Sequence, residues 1–232
     1  MVNNIFLSII IPSYLEEENL RILLPRLKQT IDNTGYTYEV LVIDTMMPLD
    51  RTKSVCEEFG FTYEPRVGGN NYGDAVRTGI LRAKGKNIIF MDADGSHTPE
   101  FCLKLLEHVD KFDIVIASRY IDGGSTDNGK LQIIMSKIVN IMYSKILGLK
   151  CKDVSNSFKM YRRSSLEGIE LKSSNFDIIE ELLYKIKKKR GQLLFFEIPY
   201  SFKARMFGHT KRNLIAFVFS YIITILKLRF GK

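Results

Sequence analysis

The chain has 232 residues, 45% hydrophobic and 26% charged, which allows one sizeable α/β core, falls short of two full domains and excludes a disordered or low-complexity protein. Lysine and arginine number 34 against 26 acids, a net charge of +8 that favours anionic partners: phosphorylated substrates, acidic lipid or nucleic acid. The basic run "KIKKKR" at 185–190 has no interleaved aromatics, so it is assigned to the solvated end of a helix and nucleic acid is set aside.

The first predicted element, "IFLSIIIP", is a short apolar run closed by a proline: a buried strand over 5–11 and not a secretory signal. Further strands are expected at 38–43, 61–64, 87–91 and 113–117, with helices between them at 16–31, 50–58, 74–83 and 99–108. Short apolar strands alternating with helices predict a Rossmann-like α/β fold, its mostly parallel sheet covered on both faces. Ligands of such sheets bind beyond the carboxyl ends of the strands. The residues there are polar: "PSYLEEENL", "DTMMPLDRT", "RVGGNNYGDA", "DADGSH" and "SRYIDGG".

Beyond residue 120 the alternation stops. A polar loop at 122–130 precedes an apolar helix at 131–147, then a helix at 177–190 and a strand at 193–199. Cys56, Cys102 and Cys151 have no metal-ligand or C-x-x-C spacing, which points to a reduced, cytoplasmic setting. Residues 213–226 carry no charge and are flanked by Arg212 and Lys227. Fourteen helical residues reach about 21 Å, short of a hydrocarbon core of about 30 Å. Residues 212–232 are therefore expected to form a helix that lies on the inner face of a membrane or buries itself in a homodimer, with a core helix as the competing reading.

Asp92 and Asp94 need a reason, because two carboxylates at the end of a buried strand carry a desolvation cost. A capping turn is one reading: Thr98 is expected to cap the helix that starts near Pro99, which leaves Asp92 unexplained. A calcium loop is excluded, since it needs glycine at its sixth position and glycine is fourth here. A phosphatase of the haloacid-dehalogenase type shares the D-x-D-G pattern, but "SRYIDGG" lacks the later acidic pair. A divalent metal held between these carboxylates and a nucleotide diphosphate also accounts for the acids on the earlier strand ends.

The order of "IIIPSYLEEENL", "VIDTMMPLDRT", "GDAVRTGILRAKG", "DADGSHTPE" and "SRYIDGG" resembles the family 2 glycosyltransferases of GT-A fold. "DVSNSFKMYRR", "FDIIEELLYK", "EIPYSF" and "RMFGHTK" resemble the branch that makes polyprenyl-phosphate (dolichyl-phosphate) mannose or glucose. The resemblance covers 5–211, so residues 1–211 are taken as one GT-A domain. It implies a donor site at Pro12, Tyr14, Glu16, Asp44, Asp92 and Ala93, with Mg2+ or Mn2+ at Asp92, Asp94 and, where the family has a glutamine, Ser96. It implies phosphate contacts from Arg119, an acceptor contact from Ser136, and cations at Arg205 and Lys211 that fold over the diphosphate. The implied reaction moves a hexose from a nucleotide sugar to a polyprenyl phosphate with inversion. Other departures are Thr45 in place of an acid, Gln132 in place of an arginine (with Lys130 as a stand-in) and Ser157 in place of a glycine. Two alternatives follow: a saccharide hydroxyl as acceptor, with Glu180 or Glu181 as base, and a nucleotide-sugar binder with impaired catalysis.

Overall fold

The structure is a computed structural model that describes residues 4–191, 193–208 and 214–230. In chain order the elements are β1 (Leu7–Pro12), α1 (Glu17–Asp32), β2 (Tyr38–Asp44), α2 (Thr52–Phe59), β3 (Thr62–Pro65), α3 (Tyr72–Arg82), β4 (Asn87–Phe90), α4 (Phe101–Leu106) and β5 (Ile114–Ser118). There follow β6 (Ser125–Thr126), α5 (Lys130–Ile146), β7 (Lys159–Arg162), α6 (Arg163–Leu166), α7 (Ile178–Arg190), β8 (Phe195–Pro199), β9 (Ser201–Phe202) and α8 (Leu214–Phe230). Among the described residues a seven-stranded sheet has the order β3-β2-β1-β4-β7-β5-β8, and only β7 runs antiparallel to its neighbours.

Strand periodicity sorts the core into two layers. Leu7, Ile9 and Ile11 of β1 face the layer under α1, α2 and α4, while Ile10 faces the layer under α3, α5 and α7. Helix α1 presents Leu20, Leu23, Leu24, Leu27 and Ile31, an apolar stripe at helical spacing, to the first layer. The chain runs outward from β1 through β2 to β3, then returns to β4 on the other side of β1. That reversal leaves a crevice at the carboxyl ends of β1 and β4, where a ligand fits an open sheet.

Strand β7 was not among the expected strands, because "KMYR" opens and closes on a cation. It is tolerated because the Lys159 ammonium donates to Val154 O and Asn156 O, satisfying its buried charge on backbone carbonyls. Since β7 descends the sheet, the turn before it, 153–157, lies at the same edge as the ends of β4 and β5.

Thr98 does not cap α4 through its side chain. Its carbonyl accepts the Phe101 N–H at 3.1 Å, and the helix has no side-chain cap. Tyr200 holds this turn instead: its hydroxyl donates to Ser96 O at 2.7 Å and accepts the Thr98 N–H at 2.9 Å. The basic run does end a helix, α7, and Lys187 Nζ donates to Leu147 O and Gly148 O at the end of α5. All three cysteines are buried and unpaired.

Helix α8 packs one face on α5 and α7. Tyr221, Thr224 and Ile225 are buried, Thr224 Oγ1 donates to Asp177 Oδ2 at 2.5 Å, and Tyr143 Oη donates to Tyr221 O at 3.0 Å. Ile223, Leu226 and Phe230 are exposed. No described helix is long and apolar enough to cross a membrane.

Candidate active site

A cavity of about 570 Å³ opens at the carboxyl ends of β1 and β4. It brings together Pro12, Tyr14, Glu16, Asp92, Ala93, Asp94, Ser96, Arg119, Ser136 and Arg205, ten of the twelve residues proposed from the sequence. Asp44 is not on its wall. That side chain is 1% exposed, its Oδ1 has no hydrogen-bond partner, and burial raises its pKa. Lys211 lies outside the described residues. Arg66, which sequence reasoning passed over, does reach the wall and donates to Ser13 O and Asn70 O. Its only signal was its place at the end of β3, beside the glycine-rich turn.

The D-x-D turn is tightly built. Gly95 has φ +82°, and a Cβ there would lie 2.6 Å from the Met206 side chain, so the turn admits glycine alone without rearrangement. Asp94 Oδ1 accepts the Ser96 N–H at 3.1 Å and the Ser96 hydroxyl at 2.6 Å. Asp94 Oδ2 is 3.5 Å from Arg205 Nε. Asp92 Oδ1 accepts the Ser157 hydroxyl at 3.1 Å. The Asp92 N–H donates to His97 Nδ1 at 2.8 Å, so the ring proton sits on Nε2 and points to Asn156 Oδ1 at 3.2 Å. Burial lowers the His97 pKa, which keeps this ring neutral.

These groups fit a hard divalent cation. The wall offers oxygen donors, and the Arg205 guanidinium already stands against Asp94 as a positive charge. Among the described residues no three acidic, histidine or cysteine side chains cluster, so an ion here depends on two carboxylates plus oxygens of its ligand, the habit of Mg2+ and Mn2+.

Arg205 also spans from Asp94 to Glu16 along the cavity wall. It donates through Nη2 to Glu16 Oε1 at 2.5 Å and through Nη1 to Glu16 Oε2 at 3.0 Å. Asn19 Nδ2 donates to Glu16 Oε2 at 2.5 Å, and Leu15, at φ +56°, turns the chain into this corner. The Met206 N–H meets Asp94 O at 2.9 Å, so the 205–207 segment is tied to both β1 and β4 edges.

Arg119 is held from behind by the turn before β7. Its backbone N–H and Nε both donate to Asp153 Oδ2 at 2.8 Å, and Nη2 donates to Asp153 Oδ1 at 2.8 Å and to Ser155 Oγ at 3.0 Å. Burial alone would raise the Asp153 pKa, but the guanidinium holds it below the usual carboxylate range. Neither Asp153 nor the turn was marked as part of the site from sequence, although "DVSNSF" was recognised as a motif.

Glu180 is fully buried beneath this turn, off the cavity wall, and burial pushes its pKa up to about 8 against the pull of Lys159. The folded protein therefore keeps a proton that the unfolded chain releases near 4.5. The stability linked to this group is fully present below that value and is lost as pH rises through 8. Glu180→Gln is expected to raise the unfolding free energy by about 2 to 3 kcal/mol at pH 8 and by less than about 1 kcal/mol at pH 5, read by urea denaturation. An equal gain at both pH values would refute this account.

The pattern of glycosyl transferase family 2 matches residues 8–169. The chain is 34% identical over 212 residues to a dolichol-phosphate mannosyltransferase of Pyrococcus furiosus, covering 88% of this chain and 58% of that protein. It is 30% identical over 219 residues to a polyprenol monophosphomannose synthase of Mycolicibacterium smegmatis, covering 88% and 80%. The chain thus spans little more than half of the Pyrococcus furiosus relative. The crystal structure of glucosyl-3-phosphoglycerate synthase from Mycobacterium tuberculosis with Mn2+, UDP and glucosyl-3-phosphoglycerate has a TM-score of 0.73 at 15% identity, covering 97% of this chain and 80% of that one. At that identity the likeness establishes the fold.

Proposed function

The chain belongs to glycosyl transferase family 2, and from that premise we propose that it transfers a hexose from a nucleotide sugar to a polyprenyl phosphate, with inversion and with Mg2+ or Mn2+. Both relatives named above are mannosyl enzymes, which supports a mannosyl donor. One observation carries the choice of acceptor: the only carboxylates on the described cavity wall are Glu16, ion-paired with Arg205, and Asp92 and Asp94, the two proposed metal ligands. A sugar hydroxyl would need a free base, whereas a phosphate is an anion at pH 7 and attacks without one. Glu180 and Glu181, the alternative bases, lie off the cavity, and Glu181 accepts the Lys172 and Ser173 N–H groups.

Asp92 and Asp94 would hold the metal, which when bound offsets charge on the departing diphosphate. Arg205, held on Glu16 with its Nε toward Asp94, would set a fixed guanidinium near the charge that develops on that same diphosphate. Asp153 and Ser155 engage Nε and Nη2 of Arg119 and leave Nη1 to meet the acceptor phosphate, with Ser136 on the same wall, linked to Ser155 through Asn140.

Peripheral attachment to the cytoplasmic membrane face is part of the proposal. Helix α5 exposes Leu131, Ile134, Ile138 and Ile141 along one stripe beside Lys130 and Lys137, and α8 exposes Ile223, Leu226 and Phe230 beside Lys227 and Arg229. Apolar side chains rimmed by cations suit an anionic bilayer, and α5 also carries Ser136 to the cavity. The same face would serve a homodimer.

The test is a thermal-shift panel of GDP and UDP with and without Mn2+, followed by sugar transfer to polyprenyl phosphate in anionic vesicles. Ligand at 100 times its Kd adds about 2.7 kcal/mol, hence a shift of about 5 to 10 °C for a domain this size. Nucleotide binding without transfer would overturn the enzyme in favour of a binding protein. Steady phosphate release from small phosphoesters would revive the phosphatase.

A further inference from the structure

Each carboxylate of the D-x-D turn has one oxygen engaged by a serine hydroxyl: Asp94 Oδ1 by Ser96 at 2.6 Å and Asp92 Oδ1 by Ser157 at 3.1 Å. Both serines stand at positions where the sequence departs from the resembled family, Ser96 for a glutamine and Ser157 for a glycine. The hydroxyl of Ser96 is turned onto Asp94, a short side chain that grips the turn itself. A glycine at 157 would offer Asp92 nothing.

The remaining oxygens are placed differently. Asp92 Oδ2 accepts no hydrogen bond from the described residues; His97 Nε2 is 3.8 Å away and directs its proton to Asn156. Asp94 Oδ2 faces Arg205 at 3.5 Å. The two Oδ2 atoms are thus the ones a cation would meet, one from each carboxylate, and the octahedral ions Mg2+ and Mn2+ suit single-oxygen contacts. A carboxylate rotates easily about its terminal bond unless something holds it. The holder here is rigid. Ser157 is 8% exposed, and the turn that carries it is pinned by Lys159 to Val154 O and Asn156 O and by Asn156 to Ala117 O.

We propose that Ser157 is a positioning residue for the divalent metal, fixing Asp92 through Oδ1 so that Oδ2 alone is presented to the ion. The proposal rests on the metal and donor reading above and adds a role for a residue that reading leaves idle. Partners that orient a metal ligand are worth about 10- to 100-fold in metal affinity.

The experiment is a Mn2+ titration followed by electron paramagnetic resonance of the free ion, in saturating GDP and separately in saturating UDP. The proteins are the wild type, Ser157→Ala, Ser157→Gly, Asp92→Asn and the double variant Asp92→Asn/Ser157→Ala. Ser157→Ala and Ser157→Gly are each expected to weaken Mn2+ by about 10-fold or more while the metal-free melting temperature stays within about 3 °C. On the Asp92→Asn background, Ser157→Ala is expected to cost nothing further, since its effect passes through Asp92. Wild-type affinity in both single variants, or full additivity in the double variant, would overturn the role of Ser157. A wild type that takes up no Mn2+ with either nucleotide would overturn the metal reading as well, so the two failures are told apart.

Discussion

Asp94→Ala is expected to lower sugar transfer by about 1,000-fold or more, a loss of about 4 kcal/mol of transition-state stabilisation, while the protein stays folded. The size follows from where the charge lies. As the glycosidic bond breaks, negative charge collects on the diphosphate, and the ion that offsets it would be held by Asp92 and Asp94 alone among the described acids of the cavity floor. Removing one of two carboxylates leaves too few protein oxygens to keep the ion in a defined position. Stability should change little. The Asp94 side chain is about a quarter exposed, its contact with Arg205 is long, and Arg205 keeps its two bonds to Glu16; a loss under about 1 kcal/mol is expected. The measurement pairs initial rates of transfer to polyprenyl phosphate with a thermal melt of the same protein. Retention of a tenth of the rate in a fully folded variant would remove the metal from the mechanism.

Strands β1, β2, β4 and β5 and the residues following them were legible because these strands are largely apolar and lie next to polar turns, a pattern that a buried parallel sheet imposes, whereas β3, TYEP, is partly exposed. That pattern located Pro12, Glu16, Asp92 and Asp94 on one edge without any structure. Three features were hidden. Strand β7 opens on Lys159, a residue type that periodicity counts as exposed, yet its ammonium is buried on backbone carbonyls. The pairing of Arg119 with Asp153 joins residues 34 apart, and no local spacing marks it. Thr98 satisfied the rule for a helix cap, but Tyr200, 102 residues away, holds the turn in its place. In each case a contact between distant segments overrode a local preference. Asp44 taught the reverse lesson. Its position after β2 was foreseen, but its side chain is off the cavity wall and buried near Tyr63 and Arg66, a setting that sequence order cannot convey.

Asp153→Ala should be more damaging to the fold than Asp94→Ala, at about 4 kcal/mol, because it strands the buried guanidinium of Arg119 without its partner. Arg119 and Asp153 have side chains 8% and 0% exposed and share three hydrogen bonds, one of them donated by the Arg119 backbone N–H. Ser155 Oγ, at 3.0 Å, cannot neutralise the charge that remains. Replacing both charges is a different experiment: Arg119→Met/Asp153→Leu should recover about half of the lost stability, since it removes the stranded ion along with its counterion. Activity should not return with it, because the cavity would then lack the cation proposed to meet the acceptor phosphate. Acid should act like the single substitution. The folded-state pKa of Asp153 lies below the ordinary value of 3.8, so the pair's contribution is present above that value and is lost as pH falls through the lower one. Urea unfolding of the wild type and the three variants at pH 7 distinguishes the outcomes. If Asp153→Ala costs less than about 1 kcal/mol, the pair is a bystander and Arg119 must be oriented by something else. If the double variant is as unstable as Asp153→Ala, the loss comes from the shape of the 153–157 turn and not from an unpaired charge.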